Sequence, residues 1–407
     1  MPLNYLFIDF NSYFASVEQQ LRPELRNKPV GVVPMKVDTT CCIAASYEAK
    51  RCGVKTGTRV LDAKKLCPGI NIVEARPTLY VEYHHKLVDA VESCAHVDEV
   101  FSIDEMVCKL TGRWREREKA IALAGEIKDT ISKKVGTELR SSIGIAPNTF
   151  LAKTASDMQK PDGLVVIDLP DLPQCLFGLQ IDDLCGIGRN MVKRLERYNI
   201  STVEQLWNSD KAKLRKVWGG IEGERMYARL RGEEISLAST HRTSVGHSHV
   251  LPPDERTDDA ACAVLNKLVQ KAAVRLRSYD CVAGAMYVGI RYMNRTKWID
   301  KISFDPSQDT LKLLQALTTI WKRKPKTHAA PLKVGVTLFK LSEKKDRTLS
   351  MFDDREVRDA LNKAIDKLNT RFGKNTIYLA GAHHALGSAP MRIAFTHIPD
   401  LEIEDDE

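Results

Sequence analysis

The stretch from Ser244 to Lys340 places the tightest limit on how this chain folds, because its element order can be read directly and fits few sheets. Strand-like runs cover Ser244–Leu251, Gly284–Met293, Lys297–Phe304 and Leu332–Lys340, and helical spacing covers 257–277 and 307–322. The order β-α-β-β-α-β predicts an antiparallel sheet with both helices on one face and the other face free to bind something. The chain's charge lies in the same region. Between Glu233 and Lys345 there are 19 Lys/Arg against 11 Asp/Glu, an excess equal to the whole chain's net charge of +8. A local basic excess suits a polyanion held by phosphate contacts and counterion release, and a well-solvated lysine-rich surface has the same composition.

Length and composition close off other classes. At 407 residues the chain exceeds one ordinary core and predicts about two to four domains. With 43% apolar and 28% charged residues, disorder is not expected over most of it. No apolar run reaches the length of a membrane span. The N-terminus has no basic region followed by an apolar core, so no export signal is expected. The ten cysteines show neither CxxC nor zinc spacing, which predicts reduced thiols in the cytosol.

The remainder mixes strands and helices. Leu3–Asp9 reads as a buried strand ending at a carboxylate, and residues 97–110 as two short strands meeting at Ile103-Asp104-Glu105. Between them, turn signals at Lys28-Pro29 and Cys67-Pro68-Gly69 suggest a small insertion. Ala120, Leu123, Ala124, Ile127 and Ile131 fall at helical spacing, followed by a strand over 141–145 and a helix from Pro147 to Met158. Residues 166–232 read as all helical. Within them Gly186-Ile187-Gly188 opens a helix, either as a phosphate-binding hairpin or as a plain helix-turn-helix connection. A second amphipathic helix over 354–372 and an acidic end, Glu402–Glu407, follow the basic segment, and whether this tail docks on it is open.

Asp9, Asp104 and Glu105 form the strongest chemical constellation. If the first strand lies beside the hairpin, the three carboxylates can converge, and they repel unless a cation or proton compensates. Hard divalent ions such as Mg²⁺ suit an all-oxygen cluster. Two such ions about 3.5–4 Å apart would serve an in-line displacement at phosphorus. Taken singly, each acid reads rather as an exposed turn residue than as a ligand.

Five ordered segments add a family resemblance: FIDFNSYFASVEQ (7–19), SYEAKRCGVKTG (46–57), FSIDE (101–105), SSIGIAPNTFLAKTASDMQKPDG (141–163) and LCGIGRNMVKRL (184–195). The chain resembles the Y-family DNA polymerases, in their bacterial polymerase IV and V branches, from the N-terminus to about residue 340. The resemblance implies an α+β, multidomain right-hand fold with a ferredoxin-like palm, small fingers, a helical thumb with a helix-hairpin-helix and a β-α-β-β-α-β little finger. The palm would be 1–20 and 75–165, the fingers 21–74, the thumb 166–232, a linker 233–243, the little finger 244–341 and the tail 342–407. It also implies template-directed addition of deoxynucleotides to a primer end, low fidelity, lesion bypass in DNA repair, and action as a monomer in the cytoplasm at the nucleoid.

The same resemblance assigns residues. Asp9, Asp104 and Glu105, with the Phe10 carbonyl, would hold two Mg²⁺, with Mn²⁺ as a substitute. Tyr47, Lys50 and Lys160 would face the triphosphate of a dNTP, and Phe14 would exclude a 2′-hydroxyl, with Tyr13 beside it in the core. Gly186 and Gly188, and Arg291, Arg295, Lys297 and Lys301, would lie along primer-template DNA. Thr348-Leu349-Ser350-Met351-Phe352 resembles a short peptide that docks on the bacterial sliding clamp, with Leu349, Met351 and Phe352 as anchors, and reads equally as a loop pinning the last helix. Departures from the family pattern are Lys50 for arginine, Ala44 for Ser/Thr, Met106-Val107-Cys108-Lys109 after the acidic pair, and Thr149 after Asn148. Lysine at 50 keeps the charge and loses the bidentate fork. Two other classes remain to be weighed: a non-catalytic scaffold that binds DNA and the clamp, and a nucleotide cyclase.

Overall fold

A computed structural model describes residues 3–235, 242–346, 355–391, 393 and 398–401. Thr348–Phe352 and Glu402–Glu407 lie outside the described residues. The chain divides into two compact units, Met1–Leu237 with Ile393–Ile398, and Ala238–Arg392 with Pro399–Glu407.

The first unit opens with β1 (Tyr5–Phe10) and α1 (Tyr13–Leu21). A small sheet follows, built from β2 (Val30–Val33), β3 (Ala44–Ala45) and β4 (Asn71–Glu74), with α2 (Tyr47–Arg51) and α3 (Val60–Leu66) between its strands. Then come α4 (Pro77–Glu92), β5 (Glu99–Ser102), β6 (Glu105–Lys109), α5 (Arg117–Lys134), β7 (Ser141–Ala146), α6 (Thr149–Met158) and β8 (Leu164–Val166). The main sheet has the order β5-β6-β1-β7-β8, and β1 is antiparallel to both β6 and β7. Alternation along β1 sends Leu6, Ile8 and Phe10 to one face and Tyr5, Phe7 and Asp9 to the other. Helix α5 buries Ala120, Leu123, Ala124, Ile127 and Ile131, the stripe its sequence spacing predicts. Each large member contributes roughly 1.5–3 kcal/mol by leaving water.

Helix α6 lies directly on β7, and Gly144 allows it. A Cβ on Gly144 would sit 2.0 Å from the Ala152 carbonyl oxygen. Five short helices complete the unit: α7 (Gln174–Phe177), α8 (Arg189–Glu196), α9 (Val203–Trp207), α10 (Lys211–Trp218) and α11 (Ile221–Leu230). Their Leu195, Leu214 and Leu230 share one apolar core with Tyr5, Phe7 and Leu151. Asn148 caps α6 by accepting from Leu151 N–H at 2.8 Å and donates to the carbonyls of Arg229 and Glu233. Glu234 accepts from Tyr5 and pairs with Lys109, so the start of the expected linker is anchored on the main sheet.

The second unit has the expected element order: β9 (Ser244–Val250), α12 (Asp258–Ser278), β10 (Cys281–Tyr292), β11 (Lys297–Ser307), α13 (Thr310–Lys322) and β12 (Pro331–Glu343). The sheet is antiparallel throughout, in the order β11-β10-β12-β9. Val264 and Leu268 of α12 and Leu317 of α13 pack with Val288, Ile290, Val336 and Leu338 in one cluster, which leaves the opposite face open. Strand β10 starts earlier than its sequence suggests because a bulge between Ala283 and Ala285 breaks the alternation there.

The tail docks on this unit. Asp366 of α14 (Arg355–Phe372) is held by the Arg277 guanidinium at 2.6 and 2.8 Å, and Asp309 accepts from Arg358 and Asn362. Buried Lys267 donates to the carbonyls of Leu386 and Ser388, both at 2.7 Å. No helix among the described residues is long and apolar enough to cross a membrane.

Candidate active site

The register of β1 builds the site. Asp9 lies directly opposite Glu105 on β6, so the two side chains share a face. Asp104 fills the turn before β6, and its carbonyl accepts from Phe10 N–H at 2.9 Å. His84 of α4 holds that turn, its Nδ1–H donating to the Ile103 carbonyl at 2.8 Å. Burial disfavours the charged form of His84, against the hydrogen bond to Ile103, which favours it. The three acids are brought together as expected, yet their side chains are divided among different partners. Ser102 donates to Asp104 at 2.6 Å, while Asp9 and Glu105 both meet the Lys153 ammonium. Among the described residues no group of three His, Cys, Asp or Glu is arranged as a metal cage.

Two lysines, Lys153 within α6 and Lys160 just after it, occupy this acidic face. Lys153 contacts Asp9, Glu105 at 2.8 Å and Asp157 at 3.2 Å, and Lys160 contacts Asp9 at 2.7 Å and Asp157 at 2.8 Å. These pairings hold Lys153 firmly protonated although burial opposes it. Asp104 has no cation paired with it among the described residues. Burial pushes its carboxyl up to about 6, against the Ser102 hydrogen bond and with further help from Asp9 and Glu105. Three carboxylates on two ammonium groups, with the unpaired Asp104 beside them, form a hard, oxygen-rich donor set short of positive charge, which fits divalent cations.

Beside the acids lies a cationic patch. Ser46 caps α2 by accepting from Ala49 N–H, which presents Tyr47 and Lys50 from one short helix. The Lys50 ammonium sits 4.3 Å from the Tyr47 ring centre. Burial and Lys160 lower the Lys50 pKa, with Asp9 opposing, and burial with Asp9 and Asp157 pushes Tyr47 up to about 12. Phe14 on α1 stacks on Tyr80 of α4 at 4.6 Å, and the Tyr80 hydroxyl donates to Glu18, which also takes both arms of Arg76. Tyr13 is core, 3% exposed, with its hydroxyl donating to the Tyr80 carbonyl.

Gly186 has φ +82° and Gly188 caps α8, with the buried Leu184 and Ile187 anchoring an exposed hairpin. In the second unit the register settles which basic residues share the open face. Arg291 pairs with both Lys297 and Lys333, and Tyr287 with Lys301, so these four charges line one side. Arg295 lies in the β10–β11 turn at φ +68° instead, off that face. Lys153, Asp157, His84 and Lys333 were not singled out from sequence. The i, i+4 spacing of Lys153 and Asp157, just ahead of Lys160, was the available signal for the first two.

Comparison with known proteins agrees along the chain. Residues 8–157 match the impB/mucB/samB family, residues 182–234 a family described as the DNA polymerase-iota thumb domain, and residues 242–351 the impB/mucB/samB family C-terminal domain. DNA polymerase IV of Moorella thermoacetica is 31% identical over 92% of this chain and 95% of its own length. DNA polymerase IV 1 of Bacillus subtilis is 30% identical over 91% of each. A Y-family polymerase chimera of Dbh and Dpo4 superposes with a TM-score of 0.71 at 25% identity, covering 84% of this chain and 99% of the chimera. DinB from Sulfolobus solfataricus gives a TM-score of 0.55, also at 25% identity, over 83% and 98% of the two chains. The chain therefore belongs to the Y family of DNA polymerases and is a DNA-directed DNA polymerase of the nucleotidyltransferase class.

Proposed function

We propose that this chain adds deoxynucleotides to a primer 3′ end opposite a template, using two Mg²⁺ held by Asp9, Asp104, Glu105 and the Phe10 carbonyl, with Mn²⁺ as a substitute. The observation that carries the reading is the register that sets Asp9 across from Glu105 with Asp104 in the adjoining turn. Bound there, the ions would lower the pKa of the primer hydroxyl and neutralise charge on the leaving pyrophosphate. Tyr47, Lys50 and Lys160 take the triphosphate. Lys160 disfavours the charge on Lys50, and a polyanion between the two relieves that repulsion. Phe14, fixed against Tyr80, closes the sugar side of the pocket to a 2′-hydroxyl.

On the same reading the main sheet and its helices are the palm (1–20 and 75–165), residues 21–74 the fingers, 166–232 the thumb and 244–341 the little finger. Gly186 and Gly188, and the face carrying Arg291, Lys297 and Lys301, meet the DNA backbone, with Arg295 at its edge. These contacts position DNA without reading sequence. Lesion bypass in DNA repair follows from small fingers and an added DNA-gripping module, in a monomer working at the nucleoid in the cytoplasm. The retained acids speak against a non-catalytic scaffold, and the hairpin and open basic sheet would be idle in a cyclase. Leu349, Met351 and Phe352 would seat the sliding clamp. Deleting 348–352 then abolishes stimulation by clamp, and undiminished stimulation refutes that role.

The test of the pocket is Phe14→Ala. Relative use of ribonucleotides over deoxynucleotides rises on the order of tenfold or more when the ring is gone, measured as the ratio of kcat/KM values. Unchanged selectivity contradicts the placement of the sugar.

A further inference from the structure

Lys153 has no part in the reading above, yet it is the most heavily engaged cation in the site. An ammonium has three N–H donors, and here three carboxylates surround it: Asp9, Glu105 and Asp157. Its side chain is 15% exposed, that of Asp9 8% and that of Glu105 27%. Charges this deep are costly to leave unpartnered. We propose that Lys153 is a positioning residue that stands in for a divalent cation between Asp9 and Glu105 in the metal-free enzyme, and that Asp157 is the carboxylate onto which it withdraws when the cation binds. The inference rests on the reading of Asp9, Asp104 and Glu105 as metal ligands and adds two residues to it.

The geometry supplies both ends of the exchange. Lys153 and Asp157 are four apart on α6 and already 3.2 Å apart, so the withdrawal needs only rotation of the lysine side chain. Asp157 is 34% exposed, more than either acid it would release, so the ammonium moves toward water as it leaves. Asp157 also holds Lys160 at 2.8 Å, which lets one carboxylate gather both lysines away from Asp9. The arrangement keeps buried acids together before the cation arrives, at the cost of competing with it. Metal affinity is then set by the difference between two lysine partners rather than by the three acids alone.

The experiment is Mn²⁺ binding by the full chain, without DNA or nucleotide, followed by electron paramagnetic resonance of the free ion. Lys153→Met removes the competitor and tightens Mn²⁺ binding on the order of tenfold. Asp157→Asn removes the withdrawal partner and weakens binding severalfold. Simple charge changes would give the same signs, so the double variant decides. In the Lys153→Met background Asp157→Asn has a markedly smaller effect, because only Lys160 is left to respond. An equal factor in both backgrounds, or no tightening in Lys153→Met, overturns the exchange. Asp104→Asn, which leaves Lys153 and its partners in place, separates the two levels. Undiminished Mn²⁺ binding in that variant overturns the metal site, and the exchange with it.

Discussion

Asp104 shows how a single residue's environment trades stability for function. Burial raises its pKa from 3.8 to about 6, with Asp9 and Glu105 adding to the shift against the Ser102 hydrogen bond. A raised carboxyl pKa means that the folded, metal-free protein binds the proton more tightly than the unfolded chain. This contribution to stability is present below about pH 4, declines as pH rises toward about 6, and is gone at neutral pH. In the presence of a chelator, Asp104→Asn is therefore more stable than the wild type at pH 7.5, by on the order of 1–3 kcal/mol, and melts at a higher temperature. The difference closes below pH 4, and the variant loses primer extension. Equal melting temperatures at pH 7.5 would show that Asp104 is not held in an unfavourable charge state. The acids were legible in sequence as strand-end carboxylates. Their counter-ion Lys153 was not, because it sits in an ordinary helical context and acquires meaning only when α6 is laid on β1.

At the scale of elements, the site depends on α6 lying close to β7. The backbone of Gly144 meets the α6 backbone with no room for a side chain, so Gly144→Ala must lift the helix that carries Lys153 and Asp157. Overpacking of this kind costs about 1–3 kcal/mol. Thermal unfolding of Gly144→Ala should reveal the loss, together with reduced kcat from a displaced helix, and wild-type stability would contradict the contact. Helix α5 was readable from sequence because its apolar stripe keeps helical period over 117–134. The start of β10 was not, since its bulge hides the alternation. Likewise the four basic residues of the second unit could not be sorted until pairing fixed the register. Arg291, Lys297 and Lys301 then fell on one face with Lys333, and Arg295 in the turn.

For the whole molecule, the sequence located the basic excess and the β-α-β-β-α-β module together, and the structure gives that module one packed face and one open, charged face. Docking of the tail could not be read from sequence. It depends on Asp309 and Lys267, whose partners lie 53 and 119–121 positions away along the chain. On the proposed reading, the carboxylates gathered by β1 and the β5–β6 turn catalyse template-directed synthesis. The most direct test is extension of a labelled primer on an undamaged template with Mg²⁺ and four dNTPs, the wild type run beside Asp104→Ala/Glu105→Ala. Extension is expected from the wild type and none from the double variant, with both binding the primer-template equally. Extension by the double variant, or binding without extension by the wild type, would contradict that reading.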